Sequence, residues 1–442
     1  MRTSSVVARL FIVGVLQELI IIGLLSLGSL REAIPAFLLL YFIAFLTYLV
    51  AVRYSRHGVL DHKPTVSVVT VIVIFALLFR VTLFFSEPSL SEDIYRYLWD
   101  GKLLNNGINP YRYPPGALEL TYLRDLLYAP INHKDIGTPY GPIAIMIFSL
   151  SQRALNSVYL MKVPFIVFDI ISMFIILRIL DVIGKPRNNV IIYAWHPLVL
   201  VEIAGSGHND SAAIVCLLAS LYWILLNRYW AASLAMTAAF LTKYLVTIFL
   251  PVVWRNFRKF EWVVFPIGLV VFFAPFHKYL DEHVVSLLTV GSSWRFNDSL
   301  FSLVYFATGS LFLSKVFVAA AFFVLVAVVL LRDLPVLKSA MILIGGALLL
   351  TTTVQPWYLL WIIPFLVFYP NRAWLLLTAL IVLSYHVLIL YEAEGIWRES
   401  VWIKIGIYAP FYALLIGDWV RKIWIRSTWQ RLGARFNSGQ DS

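Results

Sequence analysis

The 442-residue chain contains one cysteine, Cys216, and it lies inside the apolar run 211–226. An intramolecular disulfide and a thiolate metal cluster are therefore both excluded. Charge is also scarce: Asp, Glu, Lys and Arg make up 13% of residues, about half the share of an ordinary soluble domain. No internal repeat or low-complexity linker stands out, and no polar stretch is long enough to form a soluble domain. The chain is instead 61% hydrophobic with a mean hydropathy of +0.83. Apolar runs close to the roughly 20 residues that cross a bilayer recur from end to end. This predicts an all-α, polytopic transmembrane helix bundle of about 12–14 spans, with residues 1–442 forming one integral-membrane domain. The net charge of +11 comes from basic residues between and after the apolar runs, which is the pattern that orients a membrane protein and not a nucleic-acid stripe. The first run follows Arg2 with no convincing small-x-small cleavage site, so it reads as a retained helix.

Early spans are expected near 10–28, 35–53 and 65–86. The basic turn RYSRHG (53–58) and the N-terminus then lie in the cytoplasm, and residues 87–140 form a long outer loop. Apolar segments follow at 141–156, 158–180, 190–205, 211–227, 231–253 and 261–276, with a second outer loop at 277–313. Later spans fall at 314–331, 335–353, 356–369, 373–391 and 402–420, followed by a basic cytoplasmic tail, 421–442. That tail, RKIWIRSTWQRLGAR at its start, suits either an interfacial helix on anionic lipid or a simple topology anchor. If every short segment crosses, GHND (207–210) falls on the cytoplasmic side. If 141–156 or 190–205 dips in and returns, it reaches the outer side.

The polar residues are concentrated in a few places. SEDIYRYLWDG (91–101) holds three acids, one arginine and three aromatics. Read as a helix, it puts Asp93, Arg96, Tyr97 and Asp100 on one face. Acids in an outer loop can be merely solvated, but a carboxylate beside arginine and tyrosines on a short surface helix has the makings of a sugar site. Prolines and glycines in NNGINPYRYPP (105–115) and INHKDIGTPYGP (131–142) exclude long helices across much of the remaining loop. Glu202, His208, Asn209 and Asp210 border short apolar segments, where ionisable groups are costly and usually functional. His208 and Asp210 also offer two ligands to a divalent metal. Lys243 interrupts an apolar span and either snorkels or meets a buried anion such as a phosphate. Trp294, Arg295 and Asn297 in the second outer loop, and Gln355, Trp357 and Tyr358 at the start of a late span, are either interface anchors or parts of one outward-facing cavity.

Taken together these blocks resemble the GT-C superfamily of membrane glycosyltransferases, and within it the prokaryotic polyprenyl-phosphate-mannose-dependent mannosyltransferases. Residues 93–101 fit the pattern D-x-Y-R-Y-x-W-D-G. G-x-N-P-Y (107–111), I-N-H (131–133), Y-x-P (140–142), GHND (207–210), WRFNDSL (294–300) and QPWYLLW (355–361) follow in the same order. The likeness covers roughly residues 65–370. Two departures are Gly141, where the group usually has proline, and Gln355, where many relatives have histidine.

The resemblance implies a GT-C-type bundle with a catalytic module at 65–313, C-terminal spans at 314–420, and outer loops carrying short amphipathic helices. It implies that Asp93 is the catalytic base and that Lys243 and Arg295 bind the donor phosphate. Substrate contacts are expected from Glu92, Arg96, Tyr97, Asp100, His208, Asp210, Trp294, Asn297, Gln355, Trp357 and Tyr358. The implied donor is polyprenyl-phosphate-mannose in membrane lipid, the acceptor a glycan, glycolipid or protein hydroxyl, and the setting a multi-pass plasma-membrane protein with its active site outside. No cofactor is required, and a divalent metal is the open alternative. A transporter or flippase of lipid-linked sugars is the rival reading. It would show repeat symmetry and paired broken helices, and the sequence shows no repeat.

Overall fold

The computed structural model describes residues 2–57 and 66–437. Among them the structure is helical, and the extended pairing is a single isolated bridge between Phe296 and Thr353. Seven helices are long and apolar enough to cross a membrane, and five shorter apolar ones accompany them. Two broken stretches, 187–207 and 356–368, add further passages between the ends of the bundle. The all-helical polytopic architecture expected from composition is what is found. Gly58 of the expected basic turn and residues 438–442 of the expected tail lie outside the described residues.

The first three helices, α1 (Arg2–Ser26), α2 (Ile34–His57) and α3 (Val66–Phe84), pack together along their length. Their polar side chains are spent on one another: Thr82 donates to Glu18, and Thr47 to Gln17. α4 (Asp93–Asn105) starts with an acid in its first turn, where the helix dipole favours negative charge. It lies against α5 (Pro142–Ala154). The close approach requires Gly101, because a Cβ there would sit 2.5 Å from the Phe148 carbonyl oxygen.

Three expected boundaries move, each for a physical reason. The segment 141–156 is a helix of 13 residues, about 20 Å long, which is short of the roughly 30 Å of a hydrocarbon core. Its end hydrogen-bonds α4 through Asn105, which donates to Ser149 and Gln152, so α5 stays at the α4 end of the bundle. α6 (Val158–Val182), capped by Ser157, then crosses to the other end, and 187–207 returns. This puts GHND beside α4. The run 231–253 is not one helix: Lys243 is extended (φ −149°, ψ 122°) and separates Tyr229–Thr242 from Tyr244–Phe249 and Leu250–Arg255. Residues 277–313 are mostly helical, with Leu280–Ser293 continuing the preceding span and Leu300–Thr308 following. A polar side chain in this stretch is satisfied by packing: His283 donates from Nδ1 to the Thr138 carbonyl (3.1 Å) and accepts at Nε2 from Tyr244 (2.7 Å). The last helix runs unbroken from Val401 to Asn437, through the expected span and into the basic tail.

An ion pair ties the interior together. Arg80 of α3 donates from Nε to Asp169 of α6 at 2.5 Å and from Nη1 to the Ala194 carbonyl at 2.9 Å, while Tyr193 donates to the other Asp169 oxygen at 2.6 Å. Both charged side chains are essentially inaccessible. Removing one partner leaves a bare charge, which costs about 3–5 kcal/mol, whereas replacing both with apolar residues is far milder. Asp169→Leu is therefore expected to lower the melting temperature of the purified protein sharply, and the Arg80→Met, Asp169→Leu double variant to recover most of it. Equal losses in the two would show that the pair does not hold these helices.

Candidate functional site

The N-terminus of α4 places Glu92 and Asp93 at a cavity of about 740 Å³, a size suited to a small organic ligand. The first outer loop closes one side with residues 131–135, including His133 and Lys134. Trp294, Arg295 and Phe296 form a second wall, and Thr353, Gln355 and Trp357 a third. The bridge between Phe296 and Thr353 holds these two walls together, with the Val354 N–H donating to the Phe296 carbonyl at 2.8 Å. Tyr385 and Tyr391 come from the helices Ile381–His386 and Val387–Glu394, Trp397 from the link that follows them, and Arg31 from the turn after α1.

Of the residues singled out in the sequence, Glu92, Asp93, Trp294, Arg295, Gln355 and Trp357 line this cavity. The others stand behind it. Arg96 and Asp100 are buried and paired with each other (Nε to Oδ1, 3.0 Å), and Arg96 also donates to the Ile136 carbonyl at 2.9 Å. Burial pushes the Asp100 carboxyl above its usual range, against the pull of Arg96. Tyr97 stacks on Phe148 with centroids 4.6 Å apart and its hydroxyl donates to Asn209 at 3.4 Å. These three brace α4 and its loop. Tyr95 and Trp99 pack away from the cavity too, Trp99 in a cluster with Leu103, Leu120 and Ile131.

His208 is buried directly behind Asp93, its Nδ1 3.7 Å from the Asp93 carboxylate and its Nε2 3.3 Å from Glu202. Its ring lies against Trp357 with centroids 4.1 Å apart. Asp210, by contrast, is paired with Lys243 at 2.6 Å and accepts from the Trp361 indole at 2.6 Å. The two side chains considered as metal ligands thus engage different partners. Lys243 does not line the cavity. Asn297 sits at φ +49°, its N–H donating to Glu399 at 2.9 Å, and Tyr358 packs edge-on to Trp357.

Arg295 donates to Asp298 from Nε and from its terminal nitrogen (3.2 and 2.8 Å) and lies over the Tyr305 ring at 4.2 Å. Asp298 also accepts from Lys404 and Ser302 at 2.6 and 2.7 Å. Burial pushes the Asp298 carboxyl up, but the hydrogen bonds from Lys404, Ser302 and Arg295 outweigh it, and the net displacement is downward.

Several lining residues carried no signal that was used. Arg31 bridges Glu92 and, at 3.2 Å, Glu392. An arginine in a turn that the sequence expects on the outer side runs against the positive-inside tendency, and that anomaly was legible. Glu92 thereby has its place: it pins the α1–α2 turn to the start of α4. Tyr385, in the apolar run IVLSYHVL, had no such mark; its hydroxyl donates to Glu202 at 2.8 Å.

A helical membrane bundle that opens at one end into a cavity lined by a carboxylate, basic side chains and aromatics is of the GT-C glycosyltransferase type. The chain belongs to the family described as alpha-(1->6)-mannopyranosyltransferase, N-terminal domain, which it matches over residues 6–257. That stretch contains Asp93, His208, Asp210 and Lys243 and ends before Arg295 and Gln355. Among curated proteins it is similar to alpha-(1->6)-mannopyranosyltransferase A of Corynebacterium glutamicum, with 28% identity over 191 residues. The alignment covers 41% of this chain and 38% of that relative's length. No solved structure matches the chain.

The Asp298 clip makes a pH-dependent contribution with a defined sign. A carboxyl held below its ordinary value stabilises the fold above the unfolded-state pKa, and that stability is lost as pH falls through the folded one. Asp298→Asn should lower stability at pH 7 by about 1–3 kcal/mol, and the gap to the wild type should close on acidification below about pH 4. Melting curves in detergent across that range test this; a gap constant with pH would show that the charge of Asp298 is not what holds the clip.

Proposed function

We propose that this chain transfers mannose from a polyprenyl-phosphate donor to an acceptor hydroxyl, with Asp93 as general base. The observation that carries this reading is a carboxylate at the mouth of a cavity shared with Arg295 and Lys134 in a chain of the mannopyranosyltransferase family. Transfer from a lipid phosphate requires removal of the acceptor's proton and stabilisation of the departing phosphate. A phosphate is already a weak base when it leaves, so it needs cations more than a general acid. Asp93 takes the proton while the acceptor oxygen attacks the anomeric carbon from the face opposite the phosphate, in one displacement that inverts the configuration. Arg295, Lys134 and Arg31 are the cations that reach the cavity. Lys243, expected at the phosphate, would have to leave Asp210 to join them. Trp294, Trp357 and Trp397 offer ring faces to sugar. The acceptor is a glycan, glycolipid or protein hydroxyl.

The basic turn at 53–57 and the start of the C-terminal tail support a cytoplasmic location for the opposite end of the bundle, which puts the cavity outside.

Two measurements test this. Purified protein given radiolabelled polyprenyl-phosphate-mannose and native lipid extract should transfer label, and Asp93→Asn should reduce transfer by about 10²–10⁴-fold; equal transfer by both would remove Asp93 from its role. Orientation is open to cysteine labelling because the native Cys216 is only partly exposed and lies within the apolar helix Asp210–Leu225. Leu126, 93% exposed in the outer loop, should label with an impermeant maleimide in intact cells as Leu126→Cys. Labelling only after lysis would reverse the assigned topology.

A further inference from the structure

Behind Asp93 the structure holds an arrangement that the transfer reaction as proposed does not use. His208 is 1% exposed and Glu202 fully buried. The imidazole has a carboxylate at each nitrogen, Asp93 at 3.7 Å on the cavity side and Glu202 at 3.3 Å on the inner side. Neither ring nitrogen makes a closer hydrogen bond. The local backbone is built around this contact. Leu200–Gly205 is a π-helical turn, a feature that concentrates at functional sites, and the His208 N–H donates to the Glu202 carbonyl at 3.0 Å. Gly207 has φ +76°, open to glycine at little cost, and a Cβ there would meet Ile94 of α4 at 2.7 Å. The chain is thus bent so that His208 comes up beneath the first turn of α4.

Two carboxylates facing one buried imidazole are mutually costly unless the ring carries a proton. The neighbouring charges do not supply that compensation. Asp210 is satisfied by Lys243, and Lys162, which packs near Gly207, donates to the Ser86 and Phe84 carbonyls. Tyr385 donates to the second face of Glu202 and fixes its orientation. Trp357 covers the imidazole and also lines the cavity, separating the ring from it.

We infer that His208, held as an imidazolium by Glu202, is a positioning residue for Asp93: it keeps that carboxylate ionised and turned to the cavity before the acceptor arrives. When Asp93 takes the acceptor's proton its negative charge is lost, and the imidazolium keeps Glu202 as its counter-ion. The three groups together carry one negative charge before the transfer and none once the proton has arrived. This rests on the assignment of Asp93 as base, and the tests separate the two.

In the pH profile of kcat/KM, His208→Gln should move the acidic limb to higher pH by about one unit or more, because Asp93 loses its cation. kcat should fall more than KM rises. An acidic limb that stays in place while Asp93→Asn remains inactive would overturn the inference and leave Asp93 as base. An active Asp93→Asn would remove the base itself. A second readout does not depend on turnover. An imidazolium stacked on indole quenches its fluorescence, so the emission difference between the wild type and Trp357→Phe should titrate with His208. Glu202→Gln should lower that midpoint by about one unit or more; a midpoint that does not move would overturn the inference even if His208→Gln does not fold.

Discussion

A charge inside this bundle must meet a counter-charge or hydrogen-bond acceptors there, because no water is at hand in the hydrocarbon to solvate it. That constraint sets where the helices go. Arg80 and Asp169 lock α3 to α6, Lys243 and Asp210 join the ends of two neighbouring helices, and Arg96 and Asp100 fasten α4 to its own loop. Arg295 and Lys404 meet on Asp298 and bring the second outer turn against the last helix. The cavity is what remains once these pairs are closed: the place where Asp93, 27% exposed, is left facing open space.

The same constraint explains the broken helices. Lys243 pairs with Asp210 at the point where its helix ends: its N–H still donates to the Ala239 carbonyl at 3.0 Å, but its own backbone is extended. The π-turn before GHND does comparable work for Glu202, and the short α5 lets the chain stay at one end of the bundle without crossing. In each case an irregular backbone is tolerated where it is packed inside protein or lines a cavity.

Much of this was legible in the sequence. The helical class followed from hydropathy, and the α4 helix with its shared face followed from the spacing of Asp93, Arg96, Tyr97 and Asp100. What spacing could not tell was which of those side chains face the cavity and which face the protein: Arg96, Tyr97 and Asp100 share a face because that face is buried. Whether 141–156 crosses or returns stayed open in the sequence, and 277–313 read as a loop, because apolar length alone does not distinguish a helix lying at the end of the bundle from one that crosses. Tyr385 could not be found at all, since an aromatic in an apolar run is the ordinary material of membrane helices, and Trp397, in the polar link EGIWRES (394–400), was not singled out.

The cavity is also divided unevenly along the chain. Its carboxylates come from the stretch matched by the family, whereas Arg295, Gln355, Trp357, Tyr385 and Trp397 come from beyond residue 257. Arg31 and Glu392, from near opposite ends of the sequence, meet at its edge. A chain emerging from the ribosome therefore inserts Asp93 long before it makes the walls that enclose it. The Asp93 carboxylate has no enclosing walls until synthesis is nearly complete, so the cavity exists only once the fold is finished.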